Sequence, residues 1–309
     1  MPPPRARTFV FESLAGFDDE ALHTFLTPGD GGVDPRRLGV ALHGADHDEL
    51  AARVLRALPE QAAAAVAAAR AEPSPSEAVE EARRHVVGRL FWALLYWHDP
   101  DGYEELVAGE HIHPGLLDSL DLDGRVVADL GAGAGRFTLF AARHAARVIA
   151  VDAVPALLQR LEQHARQQGL ANIETRRGNF THLPLGDASV DVAVACSSLA
   201  SQAPWGGEEA LREAQRIVRP GGELIVIWPD NPQWFIARGF VYRTVPDADQ
   251  LSLHFDSIEA AERICREFYS EDAAGWVREH RAESVPFAVL GMRPPSDACV
   301  WRQADDRPT

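Results

Sequence analysis

Between Arg125 and Trp228, short β-rich apolar runs alternate with amphipathic stretches of helical period, an order that few folds accommodate. The clearest runs are 126–130, 148–152, 190–196 and 223–228, with a weaker one at 173–177. Their near-continuous apolarity marks strands covered on both faces. Helical stretches fit between them at 136–146, 155–168 and 207–218, the last stopped by Arg219-Pro220-Gly221-Gly222. Such alternation prescribes an α/β class, a mostly parallel sheet with helices on both faces.

The flanks read differently. Residues 1–119 form a helical N-terminal extension: 48–71 is rich in alanine and leucine, and Pro73-Ser74-Pro75-Ser76 then breaks the pattern and offers a new start. From Ser76, the residues Val79, Ala82, Val86, Leu90, Phe91 and Leu94 recur every three or four positions, an apolar face expected to pack on the downstream domain. That domain is expected over 120–293, with strands at 250–255 and 285–292, separated by a helix at 258–268, closing one sheet edge. The polar, proline-containing tail 294–309 is expected to be poorly ordered.

The first strand ends at Asp129 and turns through Gly131, Ala132, Gly133, Ala134 and Gly135 into a helix. Glycines at this turn let a ligand approach the backbone, because they add no Cβ and reach unusual dihedrals. The spacing is G-x-G-x-G after an acidic residue, whereas the dinucleotide fingerprint is G-x-G-x-x-G with pyrophosphate over the helix start. Asp152 closes the second strand 17 residues after Gly135, where a carboxylate can take both hydroxyls of a ribose. Nucleotide-type and nucleoside-type cofactors both remain open on these residues alone.

Charge and composition remove several alternatives. The 30 basic residues, all arginine, stand against 46 acidic ones, a net charge of −16 that repels a phosphate backbone, so nucleic acid is not an expected partner. With no lysine, Schiff-base chemistry and a P-loop lysine are excluded. Cys196, Cys265 and Cys299 show no paired spacing, which fits a reducing, cytoplasmic setting, and no run reaches the roughly 18 apolar residues that span a bilayer.

The run Val126-Val127-Ala128-Asp129-Leu130-Gly131-Ala132-Gly133-Ala134-Gly135-Arg136-Phe137 resembles motif I of class I S-adenosylmethionine (SAM) dependent methyltransferases. The second strand through Asp152, the segment Gly178-Asn179-Phe180 through Leu183-Pro184-Leu185 and Ser189-Val190-Asp191, and the stretch from Arg212 to Ile227 are similar to later motifs of that family, in order. The resemblance implies a Rossmann-like seven-stranded, mostly parallel sheet with an antiparallel last strand, and SAM as cofactor. It implies that Gly131, Gly133 and Gly135 face the methionine part, Asp152 the ribose, and Asn179 with Phe180 the adenine, with Asp129, Ala132 and Ala153 also in the cofactor-binding set; the alternative role of Asp129 is to anchor the loop through backbone N–H groups. Cys196, closing the fourth strand, joins this cofactor-facing set. The family often has aspartate where Asn179 stands.

Methyl transfer is an in-line displacement at an activated carbon, so alignment and exclusion of water carry most of it, and only some acceptors need a base. His111 and His113, just before the first strand, are the candidate catalytic residues, since imidazole titrates near neutral pH. Tyr96, Trp97, His98 and Tyr103 fit either an aromatic lid or plain helix packing. Val194-Ala195-Cys196-Ser197-Ser198 lacks the proline–cysteine context of covalent pyrimidine methylation. Asp230-Asn231 is similar to half of a metal site without a second carboxylate, so no metal is expected. These readings converge on a small-molecule methyl acceptor, with the helical extension shaping its pocket and forming a homodimer interface. A non-catalytic SAM-binding module, a nucleic-acid or protein methyltransferase and a nicotinamide oxidoreductase are the competing readings.

Overall fold

The computed structural model describes residues 9–28, 32–202, 205–246 and 251–305. Contacts divide them into two compact units, one of 9–100 with 202 and 205–207, the other of the rest, so the boundary falls near Pro100 rather than at 119.

The first unit is helical, with helices Asp19–Leu26, Pro35–Ala41, Asp48–Ala57, Glu60–Ala71, Ser76–Arg89 and Phe91–His98. The helical stretch at 48–71 is cut at Leu58, which is extended because the residue before a proline is pushed out of the helical region. Val79, Ala82 and Val86 are buried as their spacing requires, but they sit in a helix that packs on Pro35–Ala41 of the same unit. A methyl on Gly39 would lie 2.4 Å from the Val66 carbonyl oxygen, so glycine permits this close helix crossing. Trp97 Nε1 donates to the Gly16 carbonyl at 2.9 Å, a ring nitrogen of His98 lies 2.8 Å from the Ser13 carbonyl, and the Tyr96 ring meets Trp205 edge-on. The packing reading holds for these three aromatics within their unit.

Among the described residues the second unit has nine strands: β1 (Val126–Leu130), β2 (Arg147–Asp152), β3 (Ile173–Arg177), β4 (Val190–Cys196), β5 (Val218–Ile227), β6 (Val241–Thr244), β7 (Ser252–His254), β8 (Ser284–Pro286) and β9 (Asp297–Arg302). Seven form one sheet in the order β3-β2-β1-β4-β5-β9-β6, in which β9 alone runs antiparallel to its neighbours β5 and β6. The expected Rossmann-like sheet with an antiparallel last strand is present. Side chains alternate across it. Ala128, Leu130, Ala193 and Ala195 join the core on one face, and Val127, Val192, Val194 and Cys196 join the core on the other.

Four expectations are corrected. After the glycine loop only Thr138–Ala141 is α-helical within 136–146, and tight turns follow. Arg219-Pro220-Gly221-Gly222 lies inside β5, with a register shift against β4 between Val190 and Val192, rather than in a turn before it. The segments 250–255 and 285–292 do not reach the main sheet: β7 and β8 pair with each other instead. The 294–309 tail contains β9, which Ile225 and Val241 flank from the two neighbouring strands at Val300, while 306–309 lie outside the described residues. The run Ala298-Cys299-Val300-Trp301 is apolar and β-prone, and a charged tail after it masked that signal.

Between β6 and β9, antiparallel neighbours that a short hairpin could join, the chain inserts β7, helix Ile258–Ile264, a π-helical turn Cys265–Tyr269, helix Glu271–His280 and β8. Ala261, Cys265, Ala273, Ala274, Val277 and Val285 give this insertion a core of its own. No helix among the described residues is long and apolar enough to cross a membrane.

Candidate functional site

The strand order reverses direction between β1 and β4, and in open α/β sheets the carboxyl ends of the strands at such a switch point form the binding crevice. The glycine loop leaves β1 there. Gly131 and Ala132 both donate their N–H to the Val151 carbonyl, at 2.8 and 3.0 Å, which fastens the loop to β2. Gly131 and Gly133 have φ of +76° and +53°. A Cβ would stand 2.4 Å from the Ser198 Cβ at the first and 2.7 Å from the Tyr103 hydroxyl at the second. These positions therefore require glycine on two grounds, backbone conformation and space.

Asp152 completes the loop. Its Oδ2 accepts from Gly133 N–H at 2.8 Å, its Oδ1 from Val154 N–H at 2.9 Å, and the backbone of Ala153 also bonds it. Burial raises its pKa, and those backbone bonds oppose the rise. Each oxygen keeps acceptor capacity beyond one bond, so a vicinal diol can add to the set. Asp129, 1% exposed, accepts from the Thr138 hydroxyl through Oδ2 at 2.5 Å, while its Oδ1 is buried with no partner among the described residues. Burial pushes its carboxyl up to about 7. An orphaned carboxylate oxygen beside a loop of bare backbone fits a ligand that carries positive charge and a ribose.

The adenine-side candidates divide. Phe180 stands at the loop, its ring edge 3.1 Å from a Cβ built on Gly131, and packs against the core on that face. Asn179 Oδ1 accepts from Thr181 N–H at 3.1 Å, the Thr181 hydroxyl at 3.0 Å and His182 N–H at 2.9 Å, so in this structure it caps a turn. The two histidines are likewise occupied elsewhere. His113 Nδ1 accepts from Gly115 N–H at 3.1 Å and caps the helix Pro114–Leu117; His111 is exposed, its ring 6.0 Å from that of His254.

What the sequence did not single out is a buried polar cluster above β1 and β4. Arg136, directly after the last loop glycine, donates to Glu110 Oε2 at 2.9 Å and to Cys196 Sγ at 3.5 Å. Glu110 is 8% exposed, and its Oε1 accepts from the Tyr269 hydroxyl at 3.1 Å. Burial raises the Glu110 pKa, and Arg136 opposes it. Burial also raises the Cys196 thiol, which keeps it protonated and unsuited to nucleophilic attack. Ser197, next in the chain, has φ of +56°, and Ser198 Oγ donates to the Leu130 carbonyl at 2.6 Å, bracing the two loops. The sequence traces of the cluster are Cys196 at the end of the fourth strand and an arginine adjoining the glycine loop.

Residues 127–222 match the family model described as a methyltransferase domain. Over these residues the chain carries a methyltransferase domain. Residues 5–90 match the model of the FliG C-terminal domain. Among curated relatives, an uncharacterised methyltransferase-like protein of Schizosaccharomyces pombe is 35% identical over 105 residues, 33% of this chain and 38% of that protein. An arsenite methyltransferase of Aquipseudomonas alcaligenes is 34% identical over 128 residues, 38% of this chain and 36% of that protein. This chain thus matches well under half the length of either. A solved SAM-dependent methyltransferase from Aquifex aeolicus aligns with a TM-score of 0.40 at 20% identity, covering 48% of this chain and 92% of that one.

Proposed function

We propose that the whole chain is a methyltransferase that moves the methyl group of SAM to a small organic acceptor. The observation that carries this reading is the loop from Asp129 to Gly135, pinned by Asp152 and holding an unpartnered buried carboxylate oxygen at the switch point. SAM supplies a methyl already activated on a sulfonium. This chain's own residues hold the loop open to the ligand, take the ribose through Asp152, place Phe180 for the adenine and offer Asp129 to the cationic end. The set calls on no metal, and the acidity of the chain favours a small acceptor over nucleic acid.

Some relatives act on arsenite, a soft centre that prefers thiolates. Here Cys196, Cys265 and Cys299 are buried in three separate core clusters, which supports an organic acceptor instead. The test is calorimetry with S-adenosylhomocysteine. Wild-type protein should bind it, and Asp152→Asn, which keeps the shape and removes the charge, should weaken binding about 10- to 150-fold for each ribose bond lost, taking about 1.5–3 kcal/mol per charge-assisted bond. Gly133→Val should abolish binding. Tight NADH binding without S-adenosylhomocysteine binding would overturn the proposal.

A further inference from the structure

We infer that Glu110 is a catalytic residue for the proposed transfer: it accepts the proton of an O–H or N–H acceptor, with Tyr269 of the insertion helping to bind that acceptor. The inference rests on the methyltransferase reading and assigns the acceptor side of the same site.

Burying a carboxylate and a guanidinium side by side contributes little net stability, since the desolvation cost consumes most of the attraction. The buried Glu110, bonded to the half-buried Arg136 and Tyr269, is therefore better explained by use than by packing. The cluster stands at the switch point: Arg136 ties Glu110 to Cys196 at the carboxyl end of β4, and it adjoins the glycine loop in sequence. The insertion between β6 and β9 reaches this place through several contacts. Arg263 pairs with Glu105, His254 N–H donates to the Gly109 carbonyl at 3.4 Å, and a Cβ on Gly109 would stand 2.5 Å from the His254 carbonyl oxygen. A π-helical turn then presents Tyr269 to Glu110. Such turns recur at functional sites because they re-aim a side chain.

Arg136 and Tyr269 each occupy one oxygen of Glu110, and each oxygen retains acceptor capacity for a donor on the ligand. In the step itself, the acceptor's oxygen or nitrogen forms a bond to the methyl carbon as the carbon–sulfur bond breaks. The electron pair stays on sulfur, and the acceptor's proton passes to the Glu110 carboxylate. Burial, which favours the neutral form of Glu110, aids that uptake.

The test uses the full chain with SAM and a panel of small phenols, catechols and primary and secondary amines, read as S-adenosylhomocysteine release. Turnover of at least one member is expected. Glu110→Gln should lower kcat about 100-fold or more, within the range seen for general-base removal, and erase the acid limb of the pH profile, and Glu110→Asp should restore part of both. Tyr269→Phe should raise KM more than it lowers kcat. S-adenosylhomocysteine affinity by calorimetry should stay within about twofold in all three variants. Calorimetric binding of the accepted panel member to the S-adenosylhomocysteine complex should weaken in Glu110→Gln. An unchanged kcat and pH profile in Glu110→Gln would overturn the inference while leaving the cofactor reading intact. So would cofactor binding with no transfer to any panel member. Loss of S-adenosylhomocysteine binding in wild type would overturn both.

Discussion

At the residue scale, the raised pKa of Asp129 should link proton binding to stability and, on the proposed cofactor role, to cofactor affinity. Its carboxyl titrates near 7 in the folded protein against about 3.9 when exposed, because burial penalises the charged form. Between these values the folded state holds a proton that the unfolded state has released. The stabilisation is therefore complete below about pH 4 and is lost as pH rises through about 7. Urea titrations of wild type and Asp129→Asn should diverge over that window, with the downward slope of wild-type stability reduced in the variant. Cofactor affinity should move the other way. A cationic ligand prefers the ionised form, so SAM binding to wild type should tighten from pH 5.5 to 8, and Asp129→Asn should lack that portion of the rise. A common slope in both proteins would remove Asp129 from the cofactor's cationic end. Asp129 was legible as a candidate because it precedes a glycine loop. Glu110 was not, since a single acidic residue beside His111 and His113 looks like solvated loop until the arginine that buries it is seen.

At the scale of elements, legibility followed local signal. The four central strands and the helix Pro155–Gln167 are near their expected places because their apolar periods are set by burial on two faces or one. The antiparallel edge was misplaced, since β6 is exposed along its length and β9 sits before a charged terminus, so neither has the composition of a buried strand end to end. The place of β9 between β5 and β6 has a consequence for stability. Val300 is 6% exposed and faces Ile225 and Val241 on either side, so Val300→Asp should cost about 4 kcal/mol or more by placing an unpaired charge in the sheet core. Val241→Asp, in an edge strand with that residue 61% exposed, should change stability within about 0.5 kcal/mol. Equal tolerance of both substitutions in chemical unfolding would contradict the placement of β9.

At the scale of the whole molecule, the second unit holds every residue proposed for cofactor and acceptor, from Glu110 to Tyr269. The insertion between β6 and β9 was not recognisable as such from sequence, because its helices and short strands read locally like continuations of the sheet. Its separate core and its reach to Glu110 emerge only from long-range contacts. Net charge, by contrast, needs no fold to be read. A chain at −16 neutralises few phosphates and gains little counterion release, so its affinity for duplex DNA or RNA at about 0.15 M salt should be negligible. With labelled SAM, the methyl should enter small protic acceptors and leave total nucleic acid unlabelled. Low salt should not reverse this, because lowering the ionic strength lengthens the reach of the repulsion instead of relieving it. Label in nucleic acid that increases as salt is lowered would mean that a local basic surface outweighs the global charge, and the acceptor class would have to be reassigned.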